Sequence, residues 1–248
     1  MLLVLRTGDA VPEVASRRGT FLRWIQDGVG DVWDRQWHEH DARSDEALPD
    51  PVSFAGIVVT GSAASVTERA PWMLRAEDFL RTAVAADVPV LGICFGHQLL
   101  AQALGGSVAR NPLGREIGTV KLEATEHAVA DPLFDGLPPS FSVNVSHVDT
   151  VERLPPGSTV LSSTSGERHA AFRVGRAWGV QFHPEFDGDV MRGYALARRE
   201  AIESEGLPWE RIHGEAQDAP HAVALLRNFV HRVVKRHPPD AVSTERST

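Results

Sequence analysis

Cysteine is almost absent: Cys94 is the single one in 248 residues. That excludes an intramolecular disulfide framework, a CxxC redox pair and a cysteine-rich zinc site. Basic charge is also short, with 25 Lys and Arg against 33 Asp and Glu and a formal net charge of -8. Such a field gives no attraction to a phosphate backbone, so nucleic acid is not an expected partner. No apolar stretch approaches the roughly 20 residues a bilayer-spanning helix needs, so no membrane partner is expected either. The opening MLLVLRTGDA lacks the charged, hydrophobic and small-residue succession of a signal peptide and reads as a first strand. A cytoplasmic setting follows as the expectation, and there a lone thiol stays reduced. Neither GxxxxGK[ST] nor GxGxxG occurs, leaving nucleotide binding without a motif and no cofactor or metal implied. Aromatics make up only 7%, and of six Trp, Trp24, Trp33 and Trp37 crowd the N-terminal part, where core packing is the expectation.

What remains is enough for one core. Leu2 to Leu5, Phe54 to Thr60 and Val88 to Ile93 are short continuous apolar runs, the pattern of strands covered on both faces. Trp72 to Ala86 has helical periodicity through Leu74, Phe79, Leu80 and Val84, which makes the second and third strands a βαβ unit. Glu13 to Asp27 reads as one further crossover helix, followed by a strand near Asp31 to His38 and a polar loop from Glu39 to Asp50. His97 to Leu104 reads as a helix stopped by Gly105-Gly106. The next part changes character: Gly114 to Glu123, Phe141 to His147, Thr159 to Thr164, His169 to Val174 and Ala177 to Phe182 are strand candidates separated by turn signals. Helices resume at Asp189 to Ser204 and Pro220 to Arg236. The expected fold is α/β, a three-layer sandwich with a central mostly parallel sheet and a mixed strand extension. It is read as one domain over 1–236 with a disordered tail at 237–248.

Pro89-Val-Leu-Gly-Ile-Cys94-Phe-Gly96-His-Gln-Leu-Leu100 carries the chemistry. A strand entering Gly-x-Cys-x-Gly and passing directly into a helix is the layout of a nucleophile elbow, with cysteine in place of serine. The helix start supplies oriented N–H groups and a field that favours thiolate. Downstream, Gln181-Phe-His183-Pro-Glu185 read as extended chain would place His183 and Glu185 on one face, so that the carboxylate orients the imidazole and the imidazole serves Cys94. The proposed roles are nucleophile for Cys94, base for His183 and orienting group for Glu185. Acyl transfer also needs oxyanion donors, and the Phe95 N–H and the turn at Gly61 are the candidates.

Together these segments resemble the class I glutamine amidotransferase family, and within it the amidotransferase domain of GMP synthase. PVLGICFGHQLLAQALGG is similar to the family's nucleophile motif, GVQFHPE to its His/Glu motif, and NPLGREIG to the segment between them. The resemblance implies attack of Cys94 on the side-chain amide of glutamine, release of ammonia, and hydrolysis of a γ-glutamyl thioester. It implies Gln98 as a substrate-binding residue, and Ser146, His147 and Asp149 of the SHVD segment beside the pocket. The family often has GGPxS at the first oxyanion turn; TGSAAS stands here, which puts the shape of that turn in question.

Several alternatives stay open at this point. A synthetase or acceptor enzyme is a possible partner for the released ammonia, because no second domain is evident. A self-contained γ-glutamyl peptidase, hydrolase or transferase uses the same thioester, and an open groove rather than a small cavity would favour it. A catalytically idle binding protein is the non-enzymatic reading. A metal held by His147, Asp149 and His183 matches no hydrolase spacing. Asp187 is a lesser alternative to Glu185, His97 is read as a packing residue, and the ARRE run from Ala197 to Glu200 is read as a solvated helix face rather than an anion site.

Overall fold

The computed structural model describes residues 1–235, so the tail expected at 237–248 lies outside the described residues. In chain order the first half contains β1 (Leu2–Arg6), α1 (Pro12–Arg18), α2 (Phe21–Val29), β2 (Trp37–Asp41), β3 (Gly56–Val59), α3 (Pro71–Ala85), β4 (Val90–Ile93) and α4 (Phe95–Ala103). The second half contains β5 (Ser107–Arg110), β6 (Glu116–Ala124), β7 (Ser140–His147), β8 (Asp149–Arg153), β9 (Thr159–Ser163), β10 (Ala171–Val174), β11 (Ala177–Val180), α5 (Gly188–Ala197), α6 (Arg199–Ser204), α7 (Trp209–Gly214) and α8 (Pro220–Asn228).

Nine strands form one sheet in the order β2-β1-β3-β4-β11-β10-β9-β6-β7. From β2 to β11 every neighbouring pair is parallel, and from β11 to β7 every pair is antiparallel. Alternation along the parallel strands divides the core. Leu3, Leu5, Ile57, Val59 and Val90 face one way and pack with Met73, Leu80, Leu99 and Leu100 from α3 and α4. Leu2, Val4, Val58, Leu91 and Ile93 face the other way and pack with Ile25 and Val29 of α2, Leu225 and Leu226 of α8, and Phe229 just after it. The result is the expected three-layer α/β arrangement, with a mostly parallel sheet centre flanked by helices.

Three expectations about elements need correction. The helix expected over Glu13 to Asp27 is two, because the chain turns at Gly19, where φ is +82°, and Pro12 starts the first at a position that needs no N–H partner. The strand expected near Asp31 to His38 begins later: Gly30–Val32 is a 3-10 turn and β2 runs Trp37–Asp41 in register with Leu2 to Arg6. As a sheet-edge strand, β2 keeps only half-buried or exposed side chains, so it lacks the apolar run by which buried strands are read. The helix expected over Asp189 to Ser204 breaks at Arg198, whose φ and ψ of -108° and 12° leave the helix and start a new one. Three elements carried no periodic signal: the two-stranded β5–β8 ribbon and the six-residue α7. The helix expected from Pro220 is α8 continued by a π-helical turn, Phe229–Val234, and Arg236 lies outside the described residues.

Candidate active site

The elbow is built by close packing. Cys94 sits between β4 and α4 at φ 52° and ψ -101°, a strained conformation for a residue with a Cβ. Its N–H donates to the Val180 carbonyl at 2.8 Å, and Gly96 N–H donates to the Thr60 carbonyl at 3.2 Å. The turn is thereby tied to the ends of β11 and β3. A methyl group on Gly92 would lie 2.4 Å from the Gly96 carbonyl oxygen, and one on Gly96 would lie 2.5 Å from that of Val59. Glycine at both positions lets the helix lie this close to the strands.

Because β3, β4 and β11 are adjacent and parallel, their C-terminal ends deliver Gly61, Cys94 and His183 to the same edge of the sheet, where open α/β folds place their ligands. A methyl group on Gly61 would lie 3.0 Å from His183 Cε1 and 3.9 Å from Cys94 Cβ. Phe95 opens α4, so its N–H belongs to the first turn, where a helix has no internal acceptor.

His183 Nδ1–H donates to Glu185 Oε1 at 2.8 Å, and both residues are buried. The pair is not formed along an extended strand. β11 ends at Val180, and His183 to Phe186 is a turn closed by Phe186 N–H on the His183 carbonyl at 3.3 Å. Asn144 on β7 holds this turn: its carbonyl accepts from His183 N–H at 2.8 Å, and its Nδ2 donates to the Phe186 carbonyl at 3.0 Å. Phe186 stacks against the imidazole with ring centroids 4.0 Å apart. Asp187 instead caps α5, accepting from Val190 N–H at 2.8 Å, and pairs with Arg18.

Burial would raise the Cys94 thiol, but the charge of His183 and a hydrogen bond from it outweigh that, and the net direction is down from 9.0. Burial would lower His183, yet the charges of Glu185 and Cys94 prevail and push it up to about 10. Both shifts favour a thiolate–imidazolium pair at neutral pH.

Gln98 Nε2 donates to the Asp149 carbonyl at 2.9 Å and to Gln181 Oε1 at 3.0 Å, while Gln181 Nε2 points at Cys94 Sγ from 3.6 Å. The Ser146 carbonyl lies 3.9 Å from Cys94 Sγ. Asp149 Oδ2 accepts from Ser65 Oγ, and His147 meets the main-chain carbonyl of Asp149. His147 donates from Nδ1 to the Asp149 carbonyl and from Nε2 to Glu116 Oε2, each at 3.0 Å. With Glu116 lowered and so ionised, both ring nitrogens face acceptors, which favours an imidazolium there. Burial opposes that charge, but Glu116 overcomes it and raises His147, while burial-opposed bonding to His147 and Thr164 lowers Glu116. Among the described residues no three His, Cys, Asp or Glu side chains converge as a metal cluster.

Cys94, Phe95, Gln98, Ser146, His147 and Asp149 all line one cavity of about 240 Å³. A smaller compartment of about 20 Å³ joins Cys94 to His183, Tyr194 and Asp9. Asp9 is bound by Arg43 at 2.7 Å, so the polar region between His38 and Asp50 reaches the rim through that ion pair.

The family model for "Glutamine amidotransferase class-I" matches residues 33–201. This chain belongs to that family. Among its relatives is the GMP synthase [glutamine-hydrolyzing] of Aeropyrum pernix, 43% identical over 141 residues, which are 56% of this chain and 25% of that one. The Staphylococcus carnosus protein of the same name is 33% identical over 201 residues, 78% of this chain and 35% of the relative. The chain thus spans about a quarter to a third of the length of these relatives. Among solved structures, a glutamine amidotransferase from Thermotoga maritima aligns with a TM-score of 0.73 at 22% identity, covering 95% of this chain and 98% of that one. A glutamine amido transferase from Methylobacillus flagellatus aligns with a TM-score of 0.70 at 22% identity, covering 95% and 92%. These two likenesses establish the fold of the amidotransferase domain.

Residue-type reasoning missed Asn144, Gln181, Glu116 and Phe186. Glu116 lies inside NPLGREIG and Gln181 inside GVQFHPE, so those motifs pointed at them. Asn144 and Phe186 carried no signal, because each acts through a contact formed between distant segments.

Proposed function

We propose that the domain hydrolyses free glutamine to glutamate and ammonia through a γ-glutamyl thioester on Cys94. The observation that carries this reading is the shared position of the Cys94 sulfur and the buried His183–Glu185 pair at the end of a small cavity. The Cys94 thiolate adds to the side-chain carbonyl carbon, and the oxyanion is received by N–H groups at Phe95 and the Gly61 turn. As the C–N bond breaks, His183 gives its proton to the leaving nitrogen, which departs as ammonia. His183 then takes a proton from water, hydroxide adds to the thioester, and the C–S bond breaks to release glutamate and restore the thiolate.

A cavity of about 240 Å³ is below the roughly 300–1,000 Å³ of drug-sized ligand sites, which favours a free amino acid over a γ-glutamyl peptide. A synthetase or acceptor enzyme supplied in trans is the proposed consumer of the ammonia. The support is that the named relatives are GMP synthases of which this chain matches a part. The proposed compartment is the cytoplasm, where the single thiol stays reduced. Two measurements test the reading: glutamate and ammonia release, and a mass increment on Cys94 after quenching with glutamine. Absence of both in the folded protein, with an acceptor enzyme present and absent, would sink it, as would an increment that persists in Cys94→Ser.

A further inference from the structure

Among the described residues every charged side chain lining the two compartments has a side-chain hydrogen-bond partner except Arg198. Arg115 is held by Glu205 through two bonds of 2.9 and 3.0 Å, and Asp149 takes the Ser65 hydroxyl. In the smaller compartment Asp9 is bound by Arg6 and Arg43. Arg198 lines both compartments together with Cys94, and among the described residues no carboxylate pairs with it. Its guanidinium lies 4.8 Å from the centroid of the Tyr194 ring, and Tyr194 packs on Phe186 at 4.5 Å. Phe186 is the ring stacked under His183, so one column of contacts runs from the imidazole to Arg198. Within ARRE, Ala197, Arg199 and Glu200 are exposed as a solvated face should be, but Arg198 is half-buried and departs from that reading.

Position follows from the chain path. α5 starts directly after the His183–Glu185 turn, and Arg198 caps its C-terminal end four residues after Tyr194, where the helix breaks and the guanidinium lies against the Tyr194 ring at the cavity. Burial pushes Arg198 down, with the positive charge of Arg115 adding to it and the charges of Tyr194 and Cys94 opposing it. A half-buried cation without a counter-ion is costly unless a ligand supplies one.

We propose that Arg198 is a specificity-determining residue that binds the α-carboxylate of the γ-glutamyl group, orienting the side-chain amide toward Cys94. This rests on the glutamine reading above. Arginine suits the task, since its planar fork grips a carboxylate by two parallel bonds.

The test measures binding to Cys94→Ala by calorimetry, using L-glutamine and 4-aminobutanamide, which is glutamine without its α-carboxylate. Glutamine is expected to bind at least tenfold more tightly, a comparison that needs no change at Arg198. Adding Arg198→Met should remove that preference, and Arg198→Lys should restore part of it. Equal binding of the two ligands by Cys94→Ala, or a preference that survives Arg198→Met, would overturn the proposal. So would an Arg198 dependence seen with γ-glutamylglycine but not with glutamine, which would place the guanidinium on the leaving-group side. Glutamate release by the unmodified protein separates the two readings. Turnover whose carboxylate preference ignores Arg198 removes this inference alone. Arg198-dependent binding without a thioester on Cys94 removes the hydrolase reading alone and leaves the carboxylate site standing.

Discussion

The main-chain N–H of Cys94 donates to the carbonyl of Val180 at 2.8 Å, so the elbow is fastened to the last residue of the strand that leads to His183. The register continues this link, with Ile93 opposite Val180 and Gly92 opposite Gly179. Tight apposition of α4 to β3 and β4 is therefore part of the site. Gly96→Ala places a methyl group 2.5 Å from the Val59 carbonyl oxygen and is expected to cost about 1–3 kcal/mol in urea denaturation. Gly214→Ala, where nothing lies within 4 Å, should be within about 0.5 kcal/mol of the parent. Equal stability of the two variants would show that the elbow is not packed as described.

The thiolate state of Cys94 depends on His183. In the parent protein, iodoacetamide alkylation should have its midpoint below 9.0, because the charge of His183 outweighs the effect of burial. His183→Ala removes the two largest lowering influences and leaves burial and Glu185 opposed by His147 alone, so the midpoint is expected to rise relative to the parent. Rates followed by mass spectrometry from pH 5 to about 10 read the midpoint directly. A midpoint that does not move would mean that another group holds the thiolate.

Glu116 and His147 form a second buried ion pair, and its two shifts have opposite signs. His147 is raised by folding, so its contribution is full below 6.5 and is lost as pH climbs through its higher folded value. Glu116 is lowered by folding, so its contribution is present above 4.5 and is lost as pH falls through its lower folded value. Both act together between 4.5 and 6.5. Glu116→Gln should lose most stability relative to the parent in that window, and the His147 ring signal in NMR should titrate at lower pH. A stability difference independent of pH would contradict the assignment of charge to this pair.

Asn144 joins three segments, donating to the carbonyls of Phe186 and Gln217 and accepting from Thr119 Oγ1 at 2.7 Å. Asn144→Leu strips its partner from the buried Phe186 carbonyl and from the less buried Gln217 carbonyl and Thr119 hydroxyl, and is expected to cost about 1–3 kcal/mol. Because the His183 N–H bonds to the main chain of Asn144, the loop should also loosen, slowing glutamate release more than the stability loss at assay temperature explains. Asn144→Asp keeps the acceptor for Thr119 and should fall between the two. Urea denaturation and initial rates on the same samples check both statements.

Local chemistry determined a good deal by itself. Apolar runs at Leu2 to Leu5, Gly56 to Val59 and Val90 to Ile93 are buried on both faces, and a strand of that kind declares itself without knowledge of its neighbours. Gly92, Cys94 and Gly96 likewise state a turn, since the strain and the close contacts lie within a few residues of chain. The bounds of the edge strand β2 were misread and the β5–β8 ribbon was illegible, because β2 and β5 carry half-buried or exposed side chains and only pairing defines these strands. The turn geometry of His183 and Glu185 was misread as extended, since the carbonyl that anchors it belongs to Asn144 on a distant strand. Arg198 shows the same division most clearly. Its sequence context is that of a solvated helix face, and only the break between α5 and α6, with Tyr194 beneath the guanidinium, turns it toward Cys94. Periodicity and turn chemistry are properties of neighbours in sequence, whereas charge pairing and cavity shape depend on which segments the sheet order brings together.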